Sequence, residues 1–521
     1  MKVLEPPSLP GKLPILGHSY ILYGDNIHTW NVLKWVSQEA LTKGGVITMN
    51  IGPRLVYAIT DPDDLYTVAN SCLLKDYFYN FAKPWLGNGL FSGSGPVWRR
   101  HRKLLNPAFN QQVLDGFIGV FNDQSRRLVG QLLVQVGKGS FPHLKYLSVY
   151  TLETVFQTVF GVNEKYNDLI GEYLSSIAQM QSIFTERFQK VWLHPDIFYN
   201  MSQLKATQDK HVKFLHRFSN MVPRKNRKLQ MAKRDINDAQ TDGQNANGGK
   251  FKPFLDLLLE LSNNEEVITD KEIREEVDTF MIAGYDTSSY VLMYTLMAIG
   301  TYPQVQEKIY REIQDVLGYS DRDVTKHDLH KLVYLEAVIK ETLRLYPIAP
   351  IVSKIFNYPM LLSLLNILFL KNLLQKEKLC EPQYKHYSNV VDATFIYTHV
   401  AERFFIIAKN YTVPAGCSVF LLFWGMHHHS IWGPDAEQFN PERWLDSPTL
   451  STNLKLFAGF SIGKRNCIAK TFAMMSMKTT ITHLLRHYKV NADISKITFE
   501  KIDRYAPTSL WKCYKFRFKT P

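Results

Sequence analysis

One cysteine-centred stretch restricts what this chain can become more than any other part of it: Phe460, Ser461, Ile462, Gly463, Lys464, Arg465, Asn466, Cys467, Ile468 and Ala469. A pattern of helical period follows and runs to about Tyr488, so the Cys467 sulfur is expected at a helix N-terminus, where free N–H groups and the dipole favour thiolate over thiol. Gly463 permits a backbone turn with φ > 0 beside a flat cofactor. Arg465 offers a fork of donors to a carboxylate, and Phe460 can shield the sulfur from water. A lone cysteine among apolar residues is ordinarily an inert core side chain. These neighbours suit instead a haem pocket, in which an anionic sulfur behind the iron favours cleavage of the bond in dioxygen.

The order Phe, two residues, Gly, one, Arg, one, Cys, one, Ala resembles the cysteine loop of the cytochrome P450 family. Other stretches extend the resemblance over most of residues 6 to 354 and 409 to 515. Thr269, Asp270 and Glu272 start a predicted long helix that continues to about Ile299. On it lie Phe280, Met281, Ile282, Ala283, Gly284, Tyr285, Asp286, Thr287 and Ser288, which resemble the family's oxygen-activation motif. There the small residues Ala283 and Gly284 would let the helix approach a porphyrin face, and Asp286 and Thr287 offer a carboxylate and a hydroxyl for proton relay. In isolation the same residues are ordinary polar positions and a packing glycine on a helix.

Three further sites follow from the resemblance. Glu341 and Arg344 share one helical face at a spacing of three, and Arg443 in Pro441, Glu442, Arg443, Trp444 looks like the family's second arginine motif. The resemblance implies a Glu341, Arg344, Arg443 network that supports the cysteine loop and serves folding. Trp98 and Arg102, four apart, would hold a haem propionate together with Arg465, while Arg99, Arg100 and Lys103 beside them could meet an acidic electron donor. A plain basic amphipathic helix satisfies those residues equally well. His427, His428 and His429 are adjacent, point different ways and are read as structural.

The implied fold is α+β, mainly α: the cytochrome P450 fold, a single helical haem domain over residues 1–521 with small β-sheets at one side. The implied activity is insertion of one oxygen atom from dioxygen into a small hydrophobic substrate: a fatty acid, hormone, pheromone or foreign compound. Electrons would come from NADPH through a cytochrome reductase, with cytochrome b5 a further partner. Glu276 to Met281 followed by Gly284, Asp286 and Thr287 looks most like the fatty-acid-hydroxylating microsomal branch and its insect relatives. Members of that branch with ester-linked haem carry glutamate where this chain has Ala283, so haem b is expected here without a covalent link.

Composition agrees with this and narrows the rivals. With 521 residues, 45% hydrophobic and 13% aromatic, there is ample material for a large core, and length alone would suggest about three domains. A formal charge of +13 suits anionic surfaces or acidic partners, but no nucleic-acid-binding motif accompanies it, so nucleic acid is not an expected partner. Basic residues are dispersed except at Arg224, Lys225, Arg227, Lys228, Lys233 and Arg234, a solvated helix face or one turned to a membrane. Cys72, Cys380, Cys417, Cys467 and Cys513 are odd in number and widely spaced, which argues against a disulfide framework. No apolar window of about twenty residues could span a bilayer. Pro6, Pro7, Pro10, Gly11 and Pro14 look like the hinge that follows the N-terminal anchor of microsomal members, although no anchor precedes them. The expected location is the cytosolic face of the endoplasmic reticulum membrane.

Short β-branched and aromatic runs, Val46 to Ile51 and Leu55 to Thr60, read as a hairpin. Helices are expected near Gln304 to Val316 and Leu329 to Leu345, a strand at Val419 to Phe423, and a surface loop at Asp238 to Lys250. One interval departs from the family. Between Pro347 and a motif formed by Tyr411, Thr412, Val413, Pro414, Ala415 and Gly416 the chain is about forty residues longer than the resemblance implies, where compact domains favour short connections. Nothing from Phe356 to Ala408 resembles the family, and Lys354 stands about where a propionate-binding arginine is expected. Residues 355–408 are read as an atypical insertion, either a lineage-specific one or an artefact of the gene model. That interval also motivates the alternative of a haem-binding but catalytically inactive remnant.

Overall fold

The computed structural model describes residues 5–138, 141–161, 167–238, 253–261, 268–356, 404–407, 411–446 and 455–492. The expected loop at 239–250, Cys380, Cys513 and most of the 355–408 interval lie outside them, as do the side chains of the basic cluster at 224–234. The described residues divide into two compact units.

The first unit comprises the chain up to Tyr77 with Ile351–His429 and Ile462–Arg465. It opens with helix α1 (Asn26–Thr42), whose N-cap Asp25 accepts from the His28 main chain. The expected hairpin forms as β1 (Val46–Ile51) and β2 (Arg54–Ile59), in register from Val46 opposite Ile59 to Ile51 opposite Arg54. Helix α2 (Pro62–Ser71) starts where the Asp61 carboxylate caps Asp63 and Asp64 and Pro62 presets the first turn. Strand β3 (Ile351–Ile355) and strand β6 (Ser418–Leu422) complete a mixed sheet in the order β1, β2, β6, β3, with β6 parallel to β2 and antiparallel to β3. All five residues of β6 are buried, as an interior strand covered on both faces requires. This strand ends one residue before the expected limit because Phe423 opens a short helix, Phe423–His427, on which His428 stacks against Trp424.

Strands β4 (Phe404–Ile407) and β5 (Tyr411–Pro414) pair antiparallel. β4 falls inside the interval read as an atypical insertion, and its four apolar residues show no alternation that would announce a strand.

The second unit is helical and contains Phe78–Pro350, Ser430–Ser461 and the chain from Asn466 onward. Its main helices are α3 (Gly95–Leu105), α4 (Ile118–Leu133), α5 (Leu144–Val159), α6 (Asn167–Gln189), α7 (Gln203–Asp238), α8 (Phe254–Leu261), α9 (Asp270–Thr301), α10 (Pro303–Leu317), α11 (Val333–Leu345) and α12 (Lys470–His487). α9 is the expected long helix. Thr269 and Glu272 close its N-terminus as a capping box, Glu272 taking the Thr269 N–H at 2.9 Å. Two apolar cores flank it: Phe121, Leu292, Ile309 and Leu484 on one side, Phe156, Tyr173, Phe218 and Met281 on the other. A helix buried on most of its circumference is a scaffold for whatever face it leaves open. The expected helix from Leu329 breaks at Leu332, because the Glu312 carboxylate of α10 accepts the N–H groups of Tyr334 at 2.6 Å and Leu335 at 2.9 Å and starts α11 afresh.

Candidate functional site

In the second unit, α12 begins just after Cys467, with Ala469 as its N-cap residue. The Cys467 N–H donates to Phe460 O at 2.9 Å, which folds the loop back on itself. The Cys467 side chain is solvent-accessible in the protein alone, yet the protein mass around it desolvates the thiol and pushes its pKa up, against the pull of the Ala469 N–H, Arg102 and Lys470. The helix-terminus position expected from the sequence is therefore present, but in the protein alone desolvation outweighs it. A metal reverses that balance, since a coordinating thiol is deprotonated outright.

Helix α3 places Trp98 buried and Arg102 beside the cysteine loop. Arg102 Nη1 donates to Asn466 O at 2.7 Å, Nη2 to Asn466 Oδ1 at 3.1 Å and Nε to Asn106 Oδ1 at 2.9 Å. This clips α3 to the residue preceding Cys467. Arg99 and Lys103 are exposed, whereas Arg100 is engaged with Glu272 of α9. His101, which spacing did not single out, is fully buried and meets Glu276 of α9 at 2.5 Å. Burial works against a charged His101, but Glu276 and Glu272 outweigh it and raise its pKa. Their partner positions lie on another helix, so no local pattern could have announced this tie.

On α9, Ala283 and Thr287 are exposed although the helix around them is largely buried, and at a spacing of four they share one face. Thr287 Oγ1 donates to Ala283 O at 2.7 Å. Asp286 Oδ2 accepts from Gln181 Nε2 of α6 at 2.9 Å. Burial lifts the Asp286 carboxyl to about 6, with the Gln181 hydrogen bond opposing. Gly284 faces away from Ala283: a Cβ there would come within 2.6 Å of Val155 Cγ2 on α5. Helix packing against α5 is one source of crowding at this glycine.

Glu341, Arg344 and Arg443 do come together, all buried. Glu341 accepts from Arg344 Nε at 2.9 Å and Nη2 at 2.8 Å, and from Arg443 Nε at 3.0 Å. Trp444 Nε1 at 2.9 Å and the Asn440 N–H at 3.0 Å complete the set.

In the first unit, Gly463 has φ +73°, as expected. Its close neighbour is the Ala69 main chain of α2, within 2.7 Å of where a Cβ would stand, so a side chain is excluded twice over. Arg465 Nη1 donates to Leu73 O at 2.8 Å. Lys75 and Lys354 lie opposite each other across an isolated β-bridge, with Arg465 close enough that all three cations repel. Burial, then Lys354 and Arg465, depress the Lys75 pKa; burial, then Arg465, bring Lys354 down to about 7.

Comparison with known proteins puts this geometry in context. The description of the cytochrome P450 family matches residues 6–362 and 395–503. The match reaches further into the atypical interval, on both sides, than the motifs alone suggested, and leaves 363–394 unmatched. Cytochrome P450 4V2 of Mus musculus is 30% identical over 493 residues, spanning 94% of this chain and 84% of its own. Cytochrome P450 4c21 of Blattella germanica is 30% identical over 489 residues, spanning 92% and 87%. Cytochrome P450 4c3 of Drosophila melanogaster is 29% identical over 505 residues, spanning 94% and 85%. A haem-thiolate monooxygenase is the class so defined. The chain belongs to the cytochrome P450 family.

The residues present fit a haem. A thiol at a helix start supplies the iron ligand type. The exposed face of α9 at Ala283 and Thr287, in the same unit, is small and uncharged. Within the first unit, taken by itself, Lys75, Lys354 and Arg465 lie close together and suit acidic groups.

Proposed function

We propose that this protein inserts one oxygen atom from dioxygen into a hydrophobic substrate, with electrons from NADPH delivered by a cytochrome reductase and cytochrome b5 as a further donor. The observation that carries this reading is the turn of α9 in which an Asp286 carboxyl lifted to about 6 is followed by Thr287, its O–H turned to Ala283 O. A carboxyl of that kind exchanges protons near neutral pH, where the reaction consumes them. When bound through Cys467, haem iron supplies the activation of dioxygen. Trp98, Arg102 and Arg465 would hold its propionates, as the resemblance implies, and Ala283, lacking a carboxylate, leaves the haem non-covalent. Phe460 limits water at the sulfur. Arg99 and Lys103 offer an exposed basic face to an acidic electron donor.

Two exposed apolar groups support residence on the cytosolic face of the endoplasmic reticulum membrane. In the second unit Trp192, Ile197, Phe198 and Met201 project between α6 and α7; in the first, Leu13, Ile15, Leu16, Tyr20 and Tyr23 follow the proline-rich opening. Among the described residues no helix is long and apolar enough to cross a membrane. The substrate class is a fatty acid, hormone, pheromone or foreign compound.

The test is the absorption spectrum of the reduced, carbon-monoxide-bound protein, followed by NADPH consumption with reductase. A thiolate-type Soret band that disappears in Cys467→Ser, with NADPH consumed, supports the proposal. A thiolate band without consumption identifies an inert haem binder, and absence of the band in the parent protein overturns the ligand assignment.

A further inference from the structure

We propose that Gln181 of α6 is the positioning residue for the Asp286 carboxyl, orienting it through a neutral donor so that it remains free to release and regain a proton. The inference rests on the reading of Asp286 as a proton-handling group. Gln181 Nε2 donates to Asp286 Oδ2 at 2.9 Å, joining the middle of α6 to the middle of α9.

The backbone at this point is already fixed from other directions. Thr151 Oγ1 of α5 donates to Tyr285 O at 3.0 Å, and Ser289 Oγ donates to Asp286 O at 2.8 Å. What remains is rotation of the Asp286 side chain, and the Gln181 amide stops it. The titratable side chains that sense Asp286 are Tyr285 and Tyr290 on its own helix, both phenols held neutral by burial. From α6 the partner is an amide, which does not ionise. A lysine or arginine in its place would form an ion pair, favour the charged form and leave the carboxylate a poor proton acceptor. An apolar residue would leave it both unoriented and harder to ionise. The glutamine sits between these cases: the acid releases its O–H proton to solvent water, and the resulting carboxylate, still held, takes a proton back from solvent.

The experiment is an infrared pH titration of the haem-loaded enzyme, the carboxyl band being assigned by its loss in Asp286→Asn. Gln181→Leu is expected to raise the Asp286 midpoint by about one unit and Gln181→Lys to lower it by about as much. The pH dependence of NADPH-driven oxygen consumption with reductase should move in the same two directions. A role confined to structure moves neither midpoint, or moves both the same way, and either result overturns the proposal. Each variant decides by itself, because each has its own required direction. If the midpoints part as expected while oxygen consumption keeps its pH dependence, Gln181 positions Asp286 and the assignment of Asp286 to proton handling is what fails.

Discussion

Glu341 gathers donors from Arg344, Arg443, Trp444 and the Asn440 main chain in a fully buried place. Removing its charge leaves Arg344 without a counter-ion in the interior, which costs about 3–5 kcal/mol. Glu341→Gln should therefore lower the urea unfolding midpoint sharply with little change in slope; a shift below about 1 kcal/mol would sink this account. Residue spacing and family resemblance named Glu341, Arg344 and Arg443, because charged side chains leave a signature in sequence. Trp444 Nε1 and the Asn440 N–H were not legible as members, since neither an indole nor a main-chain donor has a spacing that marks its partner. Cys467 shows the same division: its place before a helix could be read, whereas the desolvation that raises its thiol depends on side chains remote in sequence.

Helix α9 sets the geometry of everything proposed here, and two of its contacts make separable predictions. Thr269→Ala removes the capping hydroxyl and should cost about 1 kcal/mol, read from thermal unfolding. Gly284→Ala drives a methyl into Val155 and should cost about 1–3 kcal/mol. Val155→Ala in the same chain should restore part of that loss, and additive effects in the double-mutant cycle would refute direct contact. The start of α9 was legible to the residue because a capping box is local. The break at Leu332 was not, since the carboxylate that restarts α11 belongs to Glu312 on α10. β4 was hidden for a different reason: a short apolar run shows its pairing with β5 only once the partner is in place.

For the whole molecule, buried ionisable groups shape the response to pH. Burial pushes the Asp278 carboxyl from 3.8 up to about 8, against the pull of Ser219 and Arg274. Between those values the folded chain keeps a proton that the unfolded chain has released, so this group makes stability fall as pH rises across that window and is silent outside it. Asp278→Asn should flatten the slope of unfolding free energy against pH between about 4 and 8. Arg274, 3.7 Å from its carboxylate, is the cation nearest to it among the described ion pairs, and the His216 ring, whose pKa burial lowers, stands at the same distance. Lys354 has the opposite sign, because a lysine whose pKa falls to about 7 adds stability as pH climbs from 7 toward 10.5. Its neighbour Lys75 shares the predicament. A polypeptide that crowds like charges into one corner of its own interior gains stability from any anion bound there. Were the carboxylates of a haem to settle there, their binding would stabilise the folded chain.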